Sequence, residues 1–494
     1  MSRTSQAPSV ESVPRPAAVP LAVPGPADSA IVALRRLRAD PLGRLTELAR
    51  EHGPVVRVAS WPVSAYLVAE PDAIADVLVS GHRAYGKGAV RRGPAGRRTV
   101  VQPLTLLLGE GLLTSAGDVH RRQRRLIQPL FHRQRIAGHA ATFARIAERT
   151  AATWRDGQRL DVHAEMTEMT LAIVARTLFD VDLDSEVVDI VRATIDLTMP
   201  AARRAGLPGF TALERLPLPA SRARRDARAA LDQAIHAMIA TRRAAGATGD
   251  DLLSLLLAAR DDETGAPMSD EQIRDEALTL LLAGHETTAN ALAWTFHLLG
   301  RDAAVRAALH AEVDEVLGER CPTMDDLTRL PCTNAVLAEA MRLYPPVWAM
   351  GRHLLADRDI AGYRLPAGST LILSQWVVHR DERWWPRPEV FDPTRWTGQP
   401  GLPGLPGQPG LPGQSGQSGR PRFAYFPFGG GPRQCIGNTF ALAEGALALA
   451  AISRHWSLAP VPGTDVVPVP QVTLRPAGGL PMTVHRRHGR AEQG

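Results

Sequence analysis

Cys435 stands in the segment Phe428-Gly429-Gly430-Gly431-Pro432-Arg433-Gln434-Cys435-Ile436-Gly437, directly ahead of a stretch that reads as a helix. Three consecutive glycines let the backbone turn tightly and come close to a planar ligand. The helix start that follows offers free N–H groups and the positive end of a dipole, and both stabilise a thiolate. Arg433 can pair with an acidic group on such a ligand, and Gly437 leaves room where a side chain would collide. The chemistry this context suits is that of a thiolate held beside a flat, partly acidic group. The other two cysteines, Cys321 and Cys332, have no such surroundings and read as small buried hydrophobes.

Three further clusters carry chemistry-bearing residues. In Ala283-Gly284-His285-Glu286-Thr287-Thr288 a carboxylate and a hydroxyl sit in the middle of an apolar run. Burying such groups is costly unless they have a partner or a task; the plainer alternative is a threonine bonding back to a helix carbonyl. Glu339-Ala340-Met341-Arg342 puts an acid and a base three residues apart, on one helix face. In Gly117-Asp118-Val119-His120-Arg121-Arg122-Gln123-Arg124-Arg125, His120 and Arg124 share a face, which a solvated basic surface would also explain.

The spacing Phe428-Gly429-x-Gly431-x-Arg433-x-Cys435-x-Gly437 resembles the haem-binding loop of the cytochromes P-450, soluble bacterial type, at every fixed position. The other three motifs follow in that family's order, and the resemblance runs from about Pro41 to His485. It implies a single haem-thiolate monooxygenase domain over 29–485, mainly α with a small β-sheet region (α+β). Haem b (iron protoporphyrin IX) would lie between the long central helix and the helix after the Cys loop, with Cys435 as axial ligand. Thr287 and Glu286 would relay protons during oxygen activation. His120, Arg124, Arg352 and Arg433 would hold the propionates, with Phe428, Gly437 and Ala283 against the ring. Some family members carry tryptophan where His120 stands. His379 resembles another polar neighbour of the haem. Glu339, Arg342 and Arg395 would form a buried triad that is structural rather than chemical.

The same resemblance implies insertion of one oxygen atom of O2 into a hydrophobic small molecule: a terpenoid, a fatty-acid-like compound or another secondary metabolite. The pocket would draw on Tyr85–Leu113, Leu280–Thr287, Val347–Gly351 and Gly479–Met482, with Leu107, Leu113, Ala283, Val347, Trp348, Met350 and Leu480 as its apolar residues. No flavin or NAD(P)H domain is visible, so electrons would come from a separate ferredoxin and ferredoxin reductase, docking on the basic face near Cys435. A peroxide-using haem-thiolate enzyme and a haem-binding sensor or carrier without turnover are the alternatives. Intact Thr287 and Glu286 argue against the first.

These side chains need elements to hold them. Helical periodicity dominates from Pro71 to about Glu319, and the longest helix should run from Asp270 to Leu299, with Ser269 and Gln272 at capping-box spacing. About 30 residues at 1.5 Å each give ~45 Å, enough to cross a domain, and its run of apolar residues predicts burial nearly all round. Val55–Glu70 reads as a β-hairpin and Ser369–Val378 as a buried strand. A helix should run from Ile436 to about Ser453.

Composition narrows the class. The chain has 494 residues, 45% of them hydrophobic, enough for a sizeable core. Three cysteines exclude a disulfide scaffold and suit a reducing compartment, and the protein is expected to be cytoplasmic and monomeric. The net charge of +6 comes almost wholly from arginine, Lys87 being the single lysine. That charge is too diffuse for nucleic acid. Pro20, Pro24 and Pro26 interrupt the early apolar run, so no membrane span is expected. Residues 1–28 read as a disordered Pro/Ala-rich leader, 486–494 as a polar tail, and 398–419 as an extended insertion with the glycine period of collagen.

Overall fold

The central helix starts where the sequence caps it. Ser269 accepts from the Gln272 N–H and Gln272 reaches back to the Ser269 N–H, while Asp270 and Glu271 place negative charge in the first turn. A computed structural model describes the protein over residues 22–487, except 61–63, 88, 93–97, 102–103, 182–188, 191–192, 195–196, 199–215, 217, 247–248, 250, 262–264 and 397–418. The collagen-like segment, apart from Gly419, and the polar tail, apart from Arg486 and Arg487, lie outside the described residues, as do residues 1–21. The end of the expected leader does not stay free: Pro24 O accepts the Arg57 N–H, and Asp28 pairs with Arg36 and Arg44.

The principal helices are α1 (Ala30–Ala39), α2 (Pro41–His52), α3 (Gly117–Ile127), α4 (Arg133–Ala152), α5 (Val162–Leu178), α6 (Pro219–Ala244), α7 (Leu252–Ala258), α8 (Asp270–Arg301), α9 (Ala303–Leu317), α10 (Pro331–Leu343) and α11 (Asn438–His455). Strands β1 (Val55–Ala59), β2 (Ala65–Val68), β3 (Tyr85–Lys87), β4 (Arg159–Asp161), β5 (Met350–Leu354), β6 (Thr370–Leu373), β7 (Trp456–Pro460), β8 (Pro468–Pro470), β9 (Leu474–Pro476) and β10 (Pro481–Arg486) form small sheets beside them. One sheet runs β1-β2-β6-β5-β3, a second runs β7-β10-β4, and β8-β9 is a hairpin.

Helix α8 packs along α5, and also against α10 and α11. Gly284 makes the first of these contacts possible, since a Cβ there would come within 3.0 Å of Val174 Cγ2. The main core joins α4, α5, α8 and α11; a second, around β1, β2, β5 and β6, includes Val56, Leu67, Leu371 and Leu373. No helix of the described residues is long and apolar enough to cross a membrane.

Two expectations change. The stretch Ser369–Val378 is not one strand: β6 ends at Leu373, and Ser374 caps a short helix over Gln375–Val378 by accepting the Val377 N–H. The segment Gly479–Met482 does not line a pocket. Leu480 and Met482 are 1% and 0% exposed in the main core, and β10 pairs with β4 and β7 there. The two ladders occupy the edges of the strand, and its Leu480 and Met482 side chains are packed among the main-core residues.

Candidate active site

The Cys loop owes its course to glycine. Gly429 and Gly431 take φ of +69° and +67°, the left-handed region that side chains rarely adopt. A Cβ on Gly431 would run into the Leu78 carbonyl oxygen, and one on Gly430 would lie 2.7 Å from the Phe423 ring. The Phe428 carbonyl accepts the Cys435 N–H at 2.9 Å, which closes the loop and puts Cys435 three residues ahead of α11. Its side chain is exposed although protein surrounds the site. Burial pushes the thiol up from its ordinary value, while the Gly437 N–H and Arg124 pull it back; metal coordination would deprotonate it outright.

A second open surface lies on α8. The helix is buried along most of its length, yet Ala283 is exposed and Thr287 half-buried. These residues are four apart and share a face. Gly284 is half-buried and its Cβ direction points at Val174 of α5, so of the two small residues Ala283 is the more open.

Around the Cys loop the protein collects positive charge. Lys87 lies directly across the ladder from Arg352 in the β3–β5 pair. Arg433 donates to Ser115 O at 2.7 Å, and Arg124 to Gln434 O at 2.7 Å. Burial, then Arg433 and Arg352, bring Lys87 down to about 7. Burial, then Arg433, Arg124, Lys87 and Arg352, hold the 5%-exposed His120 down at about 3. Burial brings Arg352 to about 10, and burial with Arg352 and Arg124 does the same to Arg433. No carboxylate among the described residues pairs with Lys87, Arg124, Arg352 or Arg433. Like charges opposed in a ladder destabilise it, so this cradle is made for an anion. Lys87 was missed in the sequence motifs, although its being the single lysine of an arginine-rich chain was a usable signal.

A haem fits these residues. Its propionates would neutralise the unpaired cations and its iron would meet the exposed Cys435. A Cβ on Gly437 would come no nearer than 3.6 Å to Phe131, so no protein atom requires glycine there and the room is left for a ligand. Phe428 is half-buried beside it.

Thr287 and Glu286, expected from the sequence to relay protons, are arranged differently from a simple adjacent pair. Thr287 donates to Ala283 O at 2.8 Å, the bond back to the helix that the plainer reading anticipates, but from the open face. Glu286 points elsewhere: it accepts from Thr473, and from Arg475 Nε at 2.8 Å. Asn290 joins this group by donating to Thr473 at 3.1 Å, and bonds His163 at 3.0 Å. The β8–β9 hairpin that supplies Thr473 and Arg475 is pinned to the Val347–Met350 stretch, where Trp348 Nε1 donates to Gln471 O at 2.9 Å. Sequence reading found Glu286 but not these partners, because a hairpin tip 187 residues away leaves no local pattern.

The remaining residues sort into structure. Glu339 and Arg342, both 0% exposed, bond through two N–H groups at 2.7 and 2.9 Å, and Arg395 Nε donates to Glu339 at 3.2 Å. Arg342 also donates to the carbonyls of His379, Pro388 and Val390, which locks the segment before the Cys loop. His379 does not border the cradle. It is fully buried and its Nε2 accepts the Phe426 N–H at 3.0 Å, so its role is to fix that segment. Of the expected pocket residues, Val347, Trp348 and Met350 are half-buried and Leu113 is exposed, whereas the Leu107 side chain lies outside the described residues.

The cytochrome P450 family model matches residues 24–480. The chain is 42% identical over 433 residues to cyclooctatin synthase of Streptomyces melanosporofaciens, covering 87% of this chain and 88% of that one. It is 37% identical over 415 residues to cyclooctat-9-en-7-ol 5-monooxygenase of the same organism, covering 84% of each. Among solved structures, the heme domain of cytochrome P450DA superposes with a TM-score of 0.79 at 27% identity, over 95% of this chain and 99% of that one. Family, fold and the cysteine-bearing loop beside a cationic cradle agree: the chain belongs to the cytochrome P450 family, and it is a haem-thiolate monooxygenase.

Proposed function

We propose that Cys435 is the axial ligand, that Lys87, His120, Arg124, Arg352 and Arg433 hold the propionates, and that the enzyme oxygenates a terpenoid. The observation that carries the site assignment is the set of unpaired cations gathered beside an exposed cysteine. The substrate class rests on the apolar residues Val347, Trp348, Met350 and Ala283, and on the unsaturated alcohol in a relative's name.

When bound, the haem supplies a thiolate-ligated iron at which dioxygen is activated. The protein's part is to place substrate against the open face of α8 and to meter protons there. Thr287 presents its hydroxyl on that face, with the Ala283 carbonyl orienting it. Neighbouring helix residues do not face each other, so Glu286 reaches Thr287 only by leaving Arg475 and Thr473. The ion pair therefore holds the acid in reserve. Electrons come from a separate ferredoxin and its reductase docking near Cys435, and the protein works as a cytoplasmic monomer.

Reduction under carbon monoxide tests the ligand: the native protein should show the band typical of thiolate ligation, and Cys435→His should abolish it while haem stays bound. Titrating terpene alcohols and fatty acids into the oxidised protein tests the substrate class. A Soret shift to shorter wavelength with the terpenoids, and none with fatty acids, is the expected result.

A further inference from the structure

Two consecutive carboxylates near the start of α8 are used by neither the proposed chemistry nor the triad. Asp275 accepts the Glu110 N–H at 2.7 Å, and Glu276 accepts the Leu112 N–H at 2.9 Å, across more than 160 residues of sequence. The loop they hold, residues 109–115, lies flush on the helix. A Cβ on Gly111 would come within 2.6 Å of Asp275 O and would run into Thr279 Oγ1, and one on Gly109 would run into the Asp275 carboxylate. The far end of the loop is tied to the Cys loop, because Ser115 O accepts from Arg433. Gln123 of α3 fastens both ends of the loop, donating to Glu110 O and accepting from Ser115 Oγ.

Glu276 precedes Ala283 by seven residues and Thr287 by eleven, so all three lie on one stripe of α8, about 10 and 16 Å apart along its axis. The loop thus covers the same stripe that opens at Ala283 and runs from there to the edge of the cationic cradle. We propose that Glu276 is a positioning residue whose hold on Leu112 closes loop 109–115 over the substrate cavity, and that the loop closes with uptake of a proton.

The proton follows from where the carboxyl sits. Glu276 is 0% exposed, and Oε1 has no partner among the described residues. Thr279 Oγ1, one turn on along the same stripe, has none either. Burial, partly offset by the Leu112 N–H and reinforced by Asp275, lifts Glu276 to about 8. Around it, Asp275 is held by Arg274, which reaches Asp232 of α6, and Arg228 lies beside that pair. The loop brings only Glu110, whose side chain is exposed, and the helical turn Thr105–Leu108 and α7 carry no charged residue. Lifting the loop would wet the carboxyl and return it to about 4.3. The closed form then holds a proton that the open form releases between those two values. Closure is complete in its benefit below the lower value, and weakens by up to tenfold per pH unit as pH rises to about 8.

Amide hydrogen exchange of Leu112 in the haem-loaded protein, from pH 5 to 8, reads this directly once corrected for the intrinsic pH dependence. The native opening constant should rise with pH by several-fold per unit. In Glu276→Gln, which keeps an acceptor and cannot ionise, Leu112 should stay protected with no residual slope; in Glu276→Leu it should exchange at least tenfold faster at every pH. Release of bound 4-phenylimidazole, followed in the Soret band, should speed up with pH in the native protein and not in Glu276→Gln. Equal slopes in native protein and Glu276→Gln would overturn the proton uptake. Unchanged azole release in Glu276→Leu would overturn the role at the cavity. A normal carbon monoxide spectrum in each variant separates these failures from a failure of the haem-thiolate assignment.

Discussion

Glu286 on the central helix and Arg475 on β9 are joined across the fold, with Arg475 Nη2 2.7 Å from Glu286 Oε1. The acid proposed to supply protons is thereby tethered to a hairpin whose tip also meets Trp348. Glu286→Gln keeps the shape and removes the transferable proton, so kcat should fall on the order of 10²-fold. The solvent isotope effect should grow while the carbon monoxide band stays. Arg475→Met leaves a buried acid without its countercharge and should lower stability by about 3 kcal/mol or less, since Arg475 is partly exposed. A thermal melt of the haem-loaded variants measures that loss, and an unchanged kcat in Glu286→Gln would remove Glu286 from the chemistry.

Lys87 offers a test that only this composition permits, because it is the chain's single lysine. Reductive methylation followed by mass spectrometry should label its ε-amine in haem-free protein and spare it once haem is bound. Lys87 stands at about 7 without an anion, and propionates would lift it toward its ordinary value. The loaded protein then keeps a proton that the empty one releases above pH 7, so haem retention should weaken as pH rises from there. Transfer of haem to apomyoglobin between pH 7 and 9 should accelerate in the native protein and show a flatter profile in Lys87→Met.

Two glycines of one loop should respond differently to alanine. Gly431 has φ of +67° and its Cβ would strike the Leu78 carbonyl oxygen. Gly431→Ala should therefore destabilise the haem-free protein by at least about 1–3 kcal/mol. Gly437 has φ of −91° and an open approach. Gly437→Ala should leave the apoprotein's melting temperature nearly unchanged and speed haem loss. Equal melting shifts for both would contradict the assignment of Gly437 to the ligand's space.

The buried triad should be intolerant of a lost charge. Glu339→Gln strands Arg342, which is 0% exposed, without its countercharge, and breaking such a pair costs about 3–5 kcal/mol. Low yield of folded, haem-loaded protein is expected, with the deficit visible in the ratio of Soret to protein absorbance.

The sequence by itself determined the glycine-rich Cys435 loop, the capped central helix, the Glu339–Arg342 pair and the family. Each is written in residues close together in the chain, where spacing maps directly onto a helix face or a turn. Only the tertiary structure decided what Glu286 holds, that Lys87 faces Arg352, that Leu480 and Met482 belong to the core, and that Glu276 grips Leu112. Those relations join segments tens to hundreds of residues apart, through strand register, hairpin reach and helix packing. Local pattern carries no record of which distant backbone will arrive, so a carboxylate's partner becomes legible only when the chain has closed on itself.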